Sequence, residues 1–326
     1  MLTVLSETDV REVLELDTLV DVVAETLIRQ AAGTVERPDR PQFPAGTGLD
    51  GDEPLGTGLV MPAYCHGDSF FATKLVSVNE ANPERGLPTI HAQVVLTDAR
   101  TGRPEAFLAG TTLTNARTGC IGGAAVRDLA PDASTLGVLG AGAQARWQTR
   151  AIDAVTDLDT VHIYSPSASR ETCASDLREH GIAASAVDSP REAVEDADVV
   201  VTATTSTDPV FPADALADGA LVVAVGAYTP EMQEVEAAVL DEAETVFADV
   251  PDEVATIGDV QASALDSDDL VPLGEALEDG YTRSRPESTL VVESVGSATL
   301  DAAAAQALYR ASTAEDTETG TSVSFD

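Results

Sequence analysis

Lysine is nearly missing from this chain. Lys74 is the only lysine among 18 basic residues, and all the others are arginines. Bases as a group are scarce: 56 acids face those 18, so the formal net charge is −38 and the pI is near 4.1. A surface this negative repels phosphate, which argues against nucleic acid and anionic membranes as partners. No apolar run approaches the roughly 18 residues of a membrane span. The acidic start, Met1 to Asp9, lacks the basic region of a secretory signal, so a cytoplasmic location is expected. Cys65, Cys120 and Cys173 are odd in number and widely spaced, with no CxxC, so neither a disulfide framework nor a metal site is expected. An acid-rich, lysine-poor composition fits a salt-saturated cytoplasm. Carboxylates keep a hydrated surface there, while screening removes much of their mutual repulsion. The chain is therefore read as halophilic.

What remains is an ordinary globular composition. The 326 residues are 44% apolar, enough for about two domains. Helical periodicity runs over residues 7–32, with Ser6 placed to cap a first helix and Asp17 a second. A Gly- and Pro-rich stretch from Gly33 to Thr57, carrying Arg37 and Arg40, reads as loop. Strand patterns follow at 57–62, 69–78, 89–97 and 105–109, separated by turns, and suggest an antiparallel meander. Residues 112–130 read as a helix rich in small side chains. From Ala133 onward strands and helices alternate as far as a strand at 289–293, which predicts a doubly wound parallel sheet of α/β class. An Ala-rich helix over 300–311 is expected last, with a polar, frayed tail from Thr313.

The lone lysine lies within Phe70-Phe71-Ala72-Thr73-Lys74-Leu75-Val76-Ser77-Val78. Apolar neighbours lower the pKa of an amine and make it useful for proton transfer. A strand lysine reaching out to water is the bland alternative. In a chain that has otherwise given up lysine, we read Lys74 as functional.

Residues 135–145 read Thr-Leu-Gly-Val-Leu-Gly140-Ala-Gly142-Ala143-Gln144-Ala145, a GxGxxA loop between a strand and a helix. Gly140 permits the tight turn, Gly142 lets the backbone approach a pyrophosphate, and Ala145 is small enough for helix-on-strand packing. This context predicts dinucleotide binding. The next strand ends at Tyr164-Ser165, where NAD-preferring sites carry an acid for the ribose. Ser165, Ser167 and Arg170 instead suit a 2′-phosphate, so NAD or NADP is expected, with NADP favoured. Thr204 and Thr205, after one strand, and Val225 and Gly226, after the next, lie where loops meet a cofactor.

Several ordered motifs extend this reading: Pro38-Asp39-Arg40, Met61-Pro62-Ala63, Thr73-Lys74-Leu75-Val76-Ser77, Asn82-Pro83 with Gly86-Leu87-Pro88, and Leu113-Thr114-Asn115-Ala116-Arg117-Thr118-Gly119. The series continues with the glycine loop, Ala203-Thr204-Thr205-Ser206, and Ser294-Val295-Gly296 followed by Asp301. Together they resemble the ornithine cyclodeaminase/mu-crystallin family, which includes archaeal-type alanine dehydrogenases and ketimine reductases. The resemblance implies a substrate and dimerisation domain over 1–130 and 297–326 and a Rossmann domain over 131–296. It implies a homodimer joined through the meanders. It also implies that Arg40 and Arg117 hold a substrate carboxylate while Lys74 stands beside the reacting carbon. The residue chemistry agrees, because guanidinium grips carboxylate bidentately and an ammonium can exchange a proton with an amine.

Cyclodeaminases of this family carry an acid after the fifth Rossmann strand. Here the sequence runs Val225-Gly226-Ala227-Tyr228-Thr229-Pro230-Glu231, and Tyr228 takes that place. A phenol is a poor base at neutral pH, and Glu231 is expected to begin a helix. The expected activity is therefore NAD(P)-dependent oxidoreduction at the CH–NH2 or C=N group of a small amino or imino acid. Ornithine cyclodeaminase, or a non-catalytic NADP-binding protein, is the alternative. His91 is read as a packed strand histidine that could face the pocket. Asp301 is left open between a site residue and a helix cap.

Overall fold

The computed structural model describes residues 1–314 and 319–324, and the chain divides into two compact units. The first comprises Met1–Glu15, Gly33–Arg117 and the segment from Ala298 onward. Its strands are β1 (Leu2–Leu5), β2 (Val35–Glu36), β3 (Gln42–Ala45), β4 (Gly56–Cys65), β5 (Phe70–Val78), β6 (Ile90–Asp98) and β7 (Pro104–Ala109). β4 to β7 form the antiparallel meander, with Met61 opposite Lys74 and Lys74 opposite Val94. β1 lies parallel to β7. Period-two alternation fixes the faces: Ala72 and Lys74 are buried, while Thr73 between them is only half-buried and Leu75 beyond is exposed. The helix Ala298–Ser312 packs on β4, β5 and β6. Its run of alanines lets the helix backbone approach the sheet closely.

Ser6 caps the helix Glu7–Glu12 as expected. Asp9 N–H donates to Ser6 Oγ at 3.3 Å and Ser6 N–H to Asp9 Oδ2 at 2.8 Å, a reciprocal pair that typically stabilises by about 1 kcal/mol. The stretch read as loop over Gly33–Thr57 instead contains β2 and β3. β3 pairs with β4 because Gly58 leaves room for the Phe43 ring, which a side chain there would strike. The tail also departs from expectation: Thr321–Val323 forms an antiparallel strand on Leu2–Val4. Positions 315–318 and 325–326 of the expected frayed tail lie outside the described residues.

The second unit comprises Leu16–Ala32 and Thr118–Ser297. Its strands are β8 (Thr135–Leu139), β9 (Thr160–Tyr164), β10 (Ala184–Ala186), β11 (Val199–Thr202), β12 (Leu221–Ala224), β13 (Thr245–Ala248), β14 (Val271–Pro272) and β15 (Leu290–Glu293). They pair in the order β10-β9-β8-β11-β12-β15-β13-β14, and every pairing is parallel. This is the doubly wound α/β sheet that the alternation predicts. β11, β12 and β15 are buried along their whole length, so they read as continuous apolar runs rather than alternating ones. The helix Leu16–Ala31 begins one residue before Asp17. That carboxylate accepts from Thr18 N–H within the first turn rather than capping. The helices Ala237–Glu242, Pro251–Val254, Gly258–Ala262 and Leu273–Asp279 carried no sequence signal strong enough to read. Among the described residues no helix is long and apolar enough to cross a membrane.

Candidate active site

Lys74 is placed by the pleat of β5. Its side chain points to the face covered by the helix Ala298–Ser312, between buried Met61 and Val94 on the neighbouring strands. Only 4% of the residue is exposed, so it does not snorkel to water. Asp301, in the first turn of that helix and 1% exposed, meets it. Nζ donates to Oδ1 at 3.2 Å and to Oδ2 at 3.1 Å. Arg117, 5% exposed on the helix Gly110–Leu129, donates from Nε to Oδ1 at 2.9 Å and from Nη2 to Oδ2 at 3.4 Å. Asp301 thus pairs with both Lys74 and Arg117, the two candidate site cations, rather than only standing at a helix start.

The electrostatics follow from burial. Desolvation pulls the Lys74 amine down to about 8; Asp301 opposes the shift, while Arg117 and Arg40 add to it. Burial alone would raise Asp301, but Arg117 and Lys74 outweigh it and hold the carboxyl below its ordinary value. Two cations on one carboxylate leave a net positive charge, and half-buried Arg40 lies near enough for Lys74 to feel it. Among the described residues, Arg117 Nη1 is buried with no hydrogen-bond partner. A buried guanidinium N–H facing no acceptor is costly, and a ligand carboxylate would satisfy it. The structure therefore brings Lys74 and Arg117 together and sets Arg40 within electrostatic reach of Lys74.

The glycine loop has the geometry a dinucleotide requires. Gly140 takes φ +118°, and a side chain there would collide with the Ala203 carbonyl oxygen. Gly142 is the N-cap of the helix Ala143–Asp153, has no side-chain cap, and faces open space where a Cβ would sit. Ala143 is exposed, Gln144 half-buried and Ala145 fully buried. Exposed backbone donors at a helix start, unobstructed by side chains, fit a pyrophosphate.

At the end of β9, Ser165 Oγ lies 3.3 Å from Ser169 Oγ, and Ser167 Oγ lies 2.7 Å from Ser169 Oγ. Ser169 completes a hydroxyl cluster that the sequence reading missed, although its spacing from Ser165 and Ser167 was visible. Arg170 donates from Nη1 to the Ser165 carbonyl at 3.0 Å and from Nη2 to Asp188 at 3.1 Å. Thr204 is half-buried, Thr205 exposed, and Val225 and Gly226 half-buried. Thr204 N–H and Gly226 N–H both donate to one carboxylate, Glu234, which sequence reasoning also missed.

Other expectations are corrected. His91 is exposed near the start of β6, neither packed nor buried in a pocket. Glu231 sits exposed in a turn, and the next helix begins only at Ala237. Tyr228 is 66% exposed. Cys65, Cys120 and Cys173 are all buried, and burial pushes the Cys120 and Cys173 thiols up, away from thiolate chemistry.

Comparison with known proteins places these features in context. Residues 2–316 match the ornithine cyclodeaminase/mu-crystallin family. A delta(1)-pyrroline-2-carboxylate reductase of Bacillus cereus is 30% identical over 320 residues, covering 94% of this chain and 95% of that protein. An alanine dehydrogenase of Archaeoglobus fulgidus is 30% identical over 331 residues and covers 94% of each chain. The solved structure of Thermococcus litoralis delta(1)-pyrroline-2-carboxylate reductase with NADH and L-proline superposes with a TM-score of 0.89 at 26% identity. That match covers 98% of this chain and 100% of the other.

Proposed function

This chain belongs to the ornithine cyclodeaminase/mu-crystallin family, and from that premise we propose that it is an NAD(P)H-dependent oxidoreductase converting a small imino acid to the amino acid. The observation that carries the reading is the buried Lys74–Asp301–Arg117 cluster, with its net positive charge and with Nη1 of Arg117 lacking a partner among the described residues.

Arg117, helped by Arg40, grips the substrate carboxylate through the N–H that is otherwise unsatisfied. This fixes the α-carbon and its C=N bond in one orientation. Lys74, with a pKa of about 8, is mostly ammonium at neutral pH yet gives up its proton readily. It donates that proton to the imine nitrogen and is reprotonated from solvent. Asp301 holds Lys74 and Arg117 in register and offsets their mutual repulsion. A reduced nicotinamide, when bound, would supply the hydride that the imine carbon accepts. Gly140, Gly142, Ala143, Gln144 and Ala145 would hold its pyrophosphate, and Thr204, Thr205, Val225 and Gly226, at the strand ends, would hold its other half.

The first compact unit is read as the substrate-handling part and the second as the dinucleotide-binding part. The Ser165–Ser167–Ser169 hydroxyls and Arg170 support a preference for NADP(H), since no acid at the end of β9 is present to take a ribose 2′-hydroxyl. Exposed Leu75 and Phe107 on the outer face of the meander support pairing with a second copy of this chain. The solvent-exposed phenol at Tyr228 supports net redox chemistry over ring-closing deamination.

The test is an assay in multimolar salt. Delta(1)-pyrroline-2-carboxylate, or pyruvate with ammonium, is supplied with NADH or NADPH, and the reduced-nicotinamide absorbance is followed. Its loss supports the proposal. Proline and ammonia formed from ornithine without net cofactor change would overturn it in favour of the lyase.

A further inference from the structure

The carboxyl ends of two adjacent strands of the parallel sheet are tied together by one buried side chain. Glu234 follows β12 and has no exposed surface. Its Oε1 accepts from Thr204 N–H at 2.5 Å. Its Oε2 accepts from Gly226 N–H at 2.7 Å and from Thr202 Oγ1 at 3.1 Å. Thr202 ends β11, Thr204 belongs to the segment that leaves it, and Gly226 to the segment that leaves β12. These segments also touch the glycine turn. A side chain at Gly140 would strike the Ala203 carbonyl oxygen, and one at Gly226 would strike the Thr204 carbonyl oxygen and the Glu234 carboxylate. The glycine turn, residues 203–204 and Gly226 are thus stacked with no spare space, and a single carboxylate fixes the last two. Glu234 is itself anchored, because Asp259 Oδ1 accepts from both Glu234 N–H and Val235 N–H at 2.7 Å.

A dinucleotide on a doubly wound sheet lies across the strand ends, with its halves on opposite sides of the first strand. β9 and β10 flank β8 on one side, and β11 and β12 on the other. The serine cluster at the end of β9 lies on the adenosine side, which leaves the ends of β11 and β12 for the nicotinamide half. We propose that Glu234 is a positioning residue for the nicotinamide end of the cofactor: by clamping the Thr204 and Gly226 amides to one carboxylate, it fixes the floor on which the nicotinamide riboside rests. It touches neither substrate nor cofactor. The proposal rests on the dinucleotide reading given above.

Two variants test it. Glu234→Gln keeps the size and one carbonyl acceptor but turns an NH2 group toward an amide donor, so one tie is lost. Glu234→Ala loses both. Each is titrated with NADPH or NADH by fluorescence and with ADP-ribose, which has the adenosine half and pyrophosphate but no nicotinamide. Single-turnover hydride transfer to delta(1)-pyrroline-2-carboxylate gives the second readout. ADP-ribose affinity is expected within about twofold of wild type, while NAD(P)H affinity weakens about tenfold in Glu234→Ala, the worth of one charge-assisted hydrogen bond. Hydride transfer is expected to slow about 10- to 100-fold through misalignment, with Glu234→Gln between Glu234→Ala and wild type. Should Glu234→Ala fail to fold, Glu234→Gln carries the test. Equal weakening of ADP-ribose and NAD(P)H, or an unchanged NAD(P)H affinity and transfer rate in folded Glu234→Gln, would overturn the proposal. Wild-type protein that binds neither ADP-ribose nor NAD(P)H would instead overturn the dinucleotide reading itself.

Discussion

Asp301 lies 3.1 Å from the Lys74 ammonium although 227 positions separate them in the chain. The carboxylate is shared with Arg117, so one acid organises two buried cations. Removing one partner of such an arrangement leaves uncompensated charge in a dry site, which typically costs about 3–5 kcal/mol. Asp301→Asn is expected to lose stability of that order in denaturant unfolding. Any residual reductase activity should show its alkaline limb at lower pH, because Asp301 raises the Lys74 pKa and its charge would be gone.

In wild type that limb reports Lys74 directly. Imine reduction needs the ammonium form, so kcat/KM is expected to be level below pH 8 and to fall above it, following a group near 8. Amino-acid oxidation needs the neutral amine and should rise through the same region. The two directions assayed across one pH series check the assignment, and parallel profiles would contradict it.

Lys74→Met should keep the apolar packing between Met61 and Val94 while removing the proton donor. Turnover is expected to drop by about 10²- to 10⁴-fold. Cofactor affinity, measured by fluorescence titration, should stay within about twofold, since Lys74 has no part in the glycine loop.

Arg117→Lys keeps a positive charge but loses the planar fork. The lysine would still reach Asp301, but it offers no second N–H in the plane of a substrate carboxylate. KM for the imino acid should rise about 10-fold or more, with a smaller effect on kcat, in steady-state kinetics.

Ser165→Asp places a carboxylate at the end of β9, where it would accept from a ribose 2′-hydroxyl and repel a 2′-phosphate. The ratio of kcat/KM for NADH over NADPH is expected to rise by about tenfold or more. An unchanged ratio would show that the serine cluster does not contact that part of the cofactor.

Much of this was legible in the residues themselves. The GxGxxA loop is a local signal, because a turn with positive φ at Gly140 and a helix capped by glycine need only a few adjacent residues. Lys74 stood out by composition and by its apolar neighbours, which favoured burial over a lysine reaching out to water. Asp301 could be seen but not assigned, since its ion pair joins a helix to a strand more than 200 residues earlier. Glu234 was invisible for a related reason: nothing local marks an acid whose acceptor role depends on amides at the ends of two other strands. β3 was hidden because Pro44 and the surrounding glycines look like loop, while its pairing depends on space left by Gly58 on the partner strand. The short helices between Pro251 and Asp279 are held by burial in the second unit rather than by their own periodicity.

The first unit is assembled from pieces at both extremes of the chain, with nearly all of the second unit translated in between. During synthesis, Lys74 leaves the ribosome long before its counter-ion exists. The meander must wait with an uncovered face and an unneutralised amine until the helix beginning at Ala298 arrives. A nascent or truncated chain that stops short of that helix should therefore be catalytically dead and sticky, however well its parallel sheet has formed.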